Sequence, residues 1–416
     1  MKNPFKLIEK KSFTQLLSGN ALAMMIASAG GIFIAQIYGP DAYGEYAVIL
    51  AISSITGPFL TLGRELEIPQ ISENEISNKL ASNLVANAIS LGIFLGVPLI
   101  IASLVVKNAS IKFLLSSAGF GLLLAVILAV FSVATQCNIR SESYRILAVR
   151  GVFQNTSLVL SQALFSIISK SFLTLVIGEI IGRAIGSLIL LPKEIRRLSF
   201  KKLSIGSTFA RLRKATPNWW NLLSQLLDNF TSSFLIIALT YLYGSSSGGN
   251  IALTLKIILL PIAIFGAPLG QVILARASSR SRSGPMVSST EFIQSIFKIS
   301  ALGISVTIVI YFAAPKLIMF MGSSWDDSSG YIKLLSLGIV LQLLWNSFGS
   351  LYYVAKKWRS YAFLKVINFL LLIFLVLASK VLSMEIIEFL WLSLVINSAI
   401  QIYGIFQTYK FTTVNV

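Results

Sequence analysis

The sequence predicts an all-α integral membrane protein of about twelve transmembrane helices, arranged as two six-helix lobes. Three observations predict it. Of 416 residues, 55% are hydrophobic and 12% charged, about half the roughly 25% charged share of soluble domains, and mean hydropathy is +0.81. A chain with so few charges has no polar coat to show to water, so its solvent is lipid. The apolar residues come in runs long enough to cross a bilayer core of about 30 Å, which takes roughly 20 helical residues. A turn-prone stretch near the start also returns near the middle: Tyr38-Gly39 recurs as Tyr243-Gly244, 205 residues later.

Twelve candidate spans follow in order. The first, 13–37, leaves a basic stretch, MKNPFKLIEKKSF, that lacks an A-x-A-like cleavage site. It therefore reads as a cytoplasmic tail leading into a span and not as a removable signal peptide. The second, 43–63, stops at LGRELEIPQ. Spans 80–105, 113–136, 146–169 and 171–191 are set off by Lys79, Lys107, Lys112, Arg140, Arg145 and Lys170. Beyond the basic segment PKEIRRLSFKKLSIGSTFARLRKATPN come 218–243, 251–275, 291–313, 331–354, 361–380 and 385–406. The chain thus divides into an N-terminal lobe (1–191), a basic cytoplasmic linker (192–217) and a C-terminal lobe (218–416).

Charge orients the spans, because cytoplasmic loops collect lysine and arginine. With the N-terminus inside, cytoplasmic segments hold 24 of the 34 basic residues. The opposite loops hold five: Lys107, Lys112, Lys170, Lys316 and Lys380. Both termini are therefore expected in the cytoplasm. The linker carries eight of the basic residues and suits the surface of an anionic leaflet.

The repeated stretch sits between the first and second spans of each half. YGPDAYGEYAVILAI lies over YGSSSGGNIALTLKI, with Gly44 on Gly249 and Ala47 on Ala252. Six spans per half is an even number, so both halves enter the membrane in the same direction and form a parallel repeat. Proline, aspartate and glycine suit a turn, which predicts a tight extracytoplasmic hairpin over residues 38–45 and over its copy.

Composition excludes several function classes. The net charge is +18, but its basic residues sit in short gaps between apolar runs. A nucleic-acid binder would gather them on a solvated face, so no nucleic-acid partner is expected. With no histidine and one cysteine, Cys137, a zinc site is implausible and neutral-pH imidazole catalysis is absent. No GxxxxGK[ST] motif occurs, no cofactor is expected, and the chain is not expected to be an enzyme.

IYGPDAYGEYA after the first span, LGRELEIPQ after the second and LLPIAIFGAPLGQVILARAS in the eighth resemble polysaccharide-exporting flippases of the Wzx type. These belong to the multidrug/oligosaccharidyl-lipid/polysaccharide exporter superfamily. The second copy of the repeat departs from the pattern, with SSSGGN where Gly-Tyr is more usual. The resemblance implies two lobes around a central cavity with alternating access. It implies an undecaprenyl-pyrophosphate-linked oligosaccharide, of O-antigen or a related polysaccharide, moved from the cytoplasmic to the periplasmic leaflet of a bacterial inner membrane. Partners implied are membrane lipid, a polysaccharide polymerase and a chain-length regulator. A cation-coupled multidrug efflux transporter of the same superfamily is the alternative; it calls for an acid-rich lumen. A membrane-embedded sugar transferase would need larger extracytoplasmic loops.

Charges within spans are costly and face a cavity or each other. They are Glu179, Arg183, Asp228, Lys256, Lys298, Lys333 and Lys365, with Arg64, Arg145 and Arg150 at cytoplasmic ends. Bases outnumber acids eight to two, a bias that suits pyrophosphate, which arginine holds with a bidentate fork. Structural roles compete. Glu179 and Arg183, four apart, neutralise one another on one helix face; Lys298, Lys333 and Lys365 snorkel to an interface; Arg64, Arg145 and Arg150 enforce topology. The substrate-binding candidates are Arg64, Lys256, Arg183, Asp228, Arg145, Arg150 and Asn20, with Gln36 and Asn221 as further hydrogen-bonding groups. Asp228 is also the candidate partner of Lys256. Coupling to membrane potential, or to H+ or Na+ through Asp228 or Glu179, is left open.

Overall fold

The computed structural model describes residues 10–71, 73–141, 143–190, 206, 208, 219–266, 269–270, 273, 277, 287–355 and 357–413. Apart from Gly206 and Thr208, the linker 192–217 lies outside them. Among the described residues there is no strand. The long helices are α1 (Lys10–Thr61), α2 (Asn74–Val105), α3 (Ala109–Arg140), α4 (Tyr144–Ser166), α5 (Phe172–Leu190) and α6 (Trp219–Tyr243). They continue as α7 (Ser245–Pro261), α8 (Ser289–Met319), α9 (Asp326–Ser336), α10 (Ile339–Phe348), α11 (Trp358–Leu382) and α12 (Ile386–Thr413).

Each of the twelve predicted spans has a helical counterpart. α1 supplies the first two, because it is broken at Gly39 (φ 78°, ψ 168°), a conformation open essentially to glycine alone. Pro40 follows, whose ring pushes the preceding residue out of the helical region and which suits the first position of a new helix. The tenth span is bent: the segment Ser323–Ser336 and α10 meet at 55°. Nine helices among the described residues are long and apolar enough to cross a membrane, ten with the bent pair taken as one span. α4 is less apolar because Arg145, Arg150, Gln154, Asn155 and Gln162 lie along it.

The hairpin predicted over 38–45 is corrected to a single residue. Gly39 alone leaves the helix, and in the second copy Gly244 (φ 92°, ψ 169°) stands alone before α7. The repeat in the letters is thus a repeat of backbone conformation. Gly44 is helical and serves another purpose. A Cβ on Gly44 would strike the backbone of Ser245 and Gly249, and one on Gly249 would strike Pro40. Offset by 205, these are the same contact made twice, as a two-fold axis between the two stretches requires.

The chain forms two compact units, one of Met1–Tyr38 with Glu45–Ile237 and one of Gly39–Gly44 with Ala238–Val416. The division runs through α6. In the first unit, α5 lays Gly178, Gly182 and Gly186 against Gln162, Leu158 and Gln154 of α4. A Cβ on Gly182 would come within 2.6 Å of Leu158 Cα, so this small-residue stripe is what lets the two backbones approach. Ile68, Leu84, Val85 and Val133 close a core under the 3-10 turn Arg64–Gln70. In the second unit α7 widens into a π-helical turn over Ile262–Gly266. α8 opens on Ser288, whose hydroxyl accepts from Glu291 N at 3.2 Å, the serine-to-glutamate spacing of a capping box.

Candidate functional site

Within the first unit, polar side chains from α1, α4 and α5 meet. Glu179, 1% exposed, is held by two neighbours: Arg183 Nε donates to Oε1, and the Tyr46 hydroxyl donates to Oε2 at 2.6 Å. Gln162 Nε2 donates to the Tyr46 hydroxyl (3.2 Å) and to Leu175 O (3.0 Å). The Tyr38 hydroxyl donates to Gln162 O (2.9 Å). The tyrosine hydroxyl therefore receives from an amide and gives to a carboxylate, which leaves both carboxylate oxygens satisfied. The i,i+4 spacing read from the sequence is the ion pair observed.

One cation is left over. Arg150, on α4, lies within Coulombic reach of Arg183 and places Cζ 4.2 Å from the centre of the Phe131 ring. Its Nε and Nη1 are shielded from solvent and have no hydrogen-bond partner among the described residues. Two cations and one carboxylate give this cluster a net charge of +1. Buried guanidinium donors without acceptors are costly, and a fork of five N–H groups is suited to an oxyanion.

Other predicted residues fall elsewhere. Arg64 lies in the 3-10 turn and pairs with Glu67 at 3.0 Å, both partly exposed. Lys256 belongs to the second unit, where Nζ donates to the Tyr43 hydroxyl at 3.4 Å; Tyr43 in turn meets Trp325 edge-on at 5.9 Å. Asp228 is half-buried on α6, Gln36 is exposed on α1, and Lys298 and Lys333 are exposed. Asn20 and Arg145 lie on α1 and α4, and Asn221 on α6, but their side chains fall outside the description. Of the seven candidates, the structure brings Arg150 and Arg183 together.

The second unit holds a polar strip that sequence reading missed. Gln401 Nε2 on α12 donates to Gln342 Oε1 on α10. Gln342 Nε2 donates to Asn346 Oδ1 at 3.5 Å. Nearby, Asn368 Nδ2 donates to Asn397 Oδ1 at 3.0 Å. Trp345 and Tyr361 stack at 5.8 Å and 5°, and Lys365 Nζ lies 5.2 Å and 5.3 Å from their ring centres. The available signal was amide spacing of four, Gln342 to Asn346 and Asn397 to Gln401, within apolar runs.

A family model described as polysaccharide biosynthesis protein matches residues 33–330. No curated protein sequence matches the chain. Solved structures share its fold at low sequence identity. An outward-facing multidrug resistance MATE family transporter of the MOP superfamily superposes with a TM-score of 0.61 at 14% identity, over 96% of this chain and 95% of that one. A MOP superfamily transporter from Pyrococcus furiosus, described as having a binding pocket of reverse polarity, gives 0.60 at 13%, over 96% and 95%. An inward-facing MATE family transporter gives 0.58 at 15%, over 95% and 93%.

Proposed function

The chain belongs to the polysaccharide biosynthesis protein family, and on that premise we propose that it is a flippase for undecaprenyl-pyrophosphate-linked oligosaccharides. It moves the repeat unit of O-antigen or a related polysaccharide from the cytoplasmic to the periplasmic leaflet of a bacterial inner membrane by alternating access. The observation that carries this reading is Arg150, a guanidinium with two shielded, unpaired nitrogens beside an Arg183 already matched by Glu179. The surplus charge favours an anionic headgroup, and a lipophilic drug cation would be repelled by it. Membrane potential is the driving force this reading favours. A pyrophosphate with about two uncompensated negative charges leaves a negative cytoplasm downhill by about 5 kcal/mol at 100 mV. Both termini lie in the cytoplasm, and a polysaccharide polymerase and chain-length regulator act on the product.

The test is flipping in proteoliposomes, with a polyprenyl-pyrophosphate-linked saccharide supplied to one leaflet. Wild-type protein is expected to move it faster than protein-free vesicles do. Arg150→Gln is expected to lower the rate by about tenfold, the loss of one charge-assisted hydrogen bond. Wild-type vesicles no faster than empty ones, or an Arg150→Gln protein as fast as wild type, reject the reading.

A further inference from the structure

The amide strip of the second unit is not accounted for by a charge-binding role. Asn346 is exposed on α10, two residues before that helix ends and within the stretch 331–354 expected as the tenth span. An amide facing hydrocarbon would forfeit its hydrogen bonds, so such a group marks space filled by water or by a polar ligand. The hydrogen bonds around it run one way, from Gln401 to Gln342 to Asn346. Each amide oxygen is taken by the preceding NH2, and among the described residues the chain ends on Asn346 Nδ2. Helix-to-helix glue needs no open end; an amide chain that stops at an exposed donor has one.

We infer that this strip is a sugar-recognition subsite, taking the hydroxyl and acetamido groups of a pyranose ring. The inference rests on the proposal that the cargo is a sugar carried on a charged lipid. The groups present are uncharged donors and acceptors, which match hydroxyls that both give and receive. Lys365 Nζ caps the neighbouring Trp345–Tyr361 stack. The aromatic pair is buried, with Trp345 5% and Tyr361 8% exposed, so it is the wall that holds Lys365 and not a stacking platform. The π-helical turn Ile262–Gly266 borders the strip: a Cβ on Gly266 would lie 3.3 Å from Asn346 Cβ. Such turns recur at functional sites, and glycine here keeps the space beside the amide open.

Binding of two probes by the purified full chain in nanodiscs tests this: polyprenyl pyrophosphate alone, and the same lipid bearing a trisaccharide that contains N-acetylhexosamine. In wild type the sugar is expected to tighten binding about tenfold or more, the worth of one or two well-placed hydrogen bonds. Asn346→Leu and Gln342→Leu are expected to lose that gain and to bind the bare lipid as wild type does. Arg150→Gln is expected to weaken both probes alike. Leucine variants that keep the gain overturn the subsite, and a lowered Tm in them then marks the strip as structural. Wild-type protein that binds the bare lipid with no gain from sugar overturns the subsite and leaves the flippase reading standing. Wild-type protein that binds neither probe removes both.

Discussion

The two units handle polar groups inside apolar helices in opposite ways. The first buries charge and closes around its carboxylate, so that Glu179 is 1% exposed and both its oxygens are occupied, while the surplus sits on Arg150. The second uses neutral amides and leaves their chain open at Asn346. The energetic stakes differ accordingly. Removing one partner of a buried ion pair strands the other and costs about 3–5 kcal/mol. An interhelical hydrogen bond between neutral groups in a membrane averages about 0.6 kcal/mol. The charged cluster is thus part of what holds the first unit together, whereas the amide strip is free to change without endangering the fold.

The largest expected effect breaks the comparison most directly. Glu179→Ala strips Arg183 of its ion-pair partner while Arg150 remains within Coulombic reach. It should destabilise the protein by about 3–5 kcal/mol, seen as a large drop in Tm in detergent. Gln342→Leu should cost less than about 1 kcal/mol. Equal drops for the two variants would show that the contrast between the units is not energetic.

A smaller effect tests where the units are alike. Gly39 and Gly244 share one glycine-only conformation, and a Cβ at either would meet nothing within 4 Å. The cost of alanine at either site is therefore backbone strain alone, about 1–3 kcal/mol. Gly39→Ala and Gly244→Ala should lower Tm by the same amount within error. A loss at one site and none at the other would mean that the repeat is one of sequence only.

Why these features were or were not legible follows from the range of the interactions. Span number, the ion pair of Glu179 with Arg183 and the offset of 205 are local or periodic, so a single sequence displays them. The stretch after Tyr38 was misread because proline, aspartate and glycine serve turns and close helix contacts equally. Gly44 looks like a turn residue and is a contact residue. Tyr46 and Gln162 lie 133 and 116 residues from their partners, and nothing in their neighbourhood announces the cluster. The amide strip has a local signal, but asparagine and glutamine also do structural work in this chain. Asn155 Nδ2 donates to Ala23 O at 2.8 Å, and Asn138 Nδ2 to Leu190 O at 2.8 Å. Only the open end of the strip sets it apart, and that is a property of two helices together.

The smallest effect contrasts two carboxylates within the first unit. Glu179 has its cation, whereas Glu65, in the 3-10 turn after α1, is 3% exposed and has a shielded Oε2 without a partner among the described residues. Burial raises its pKa above the usual carboxylate value, helped by the neighbouring charge of Glu67 and opposed by a hydrogen bond from Thr61. The folded state therefore holds the proton more tightly than the unfolded state does. The stability this contributes is fully present below the unfolded value and is lost as pH rises through the folded one. Glu65→Gln keeps the shape and removes the charge. At pH 8 it should stabilise the protein by about 1 kcal/mol, whereas at pH 4, where wild-type Glu65 is already protonated, the gain should vanish. A Tm difference between variant and wild type that does not shrink on acidification would show that Glu65 is not a buried, unmatched charge.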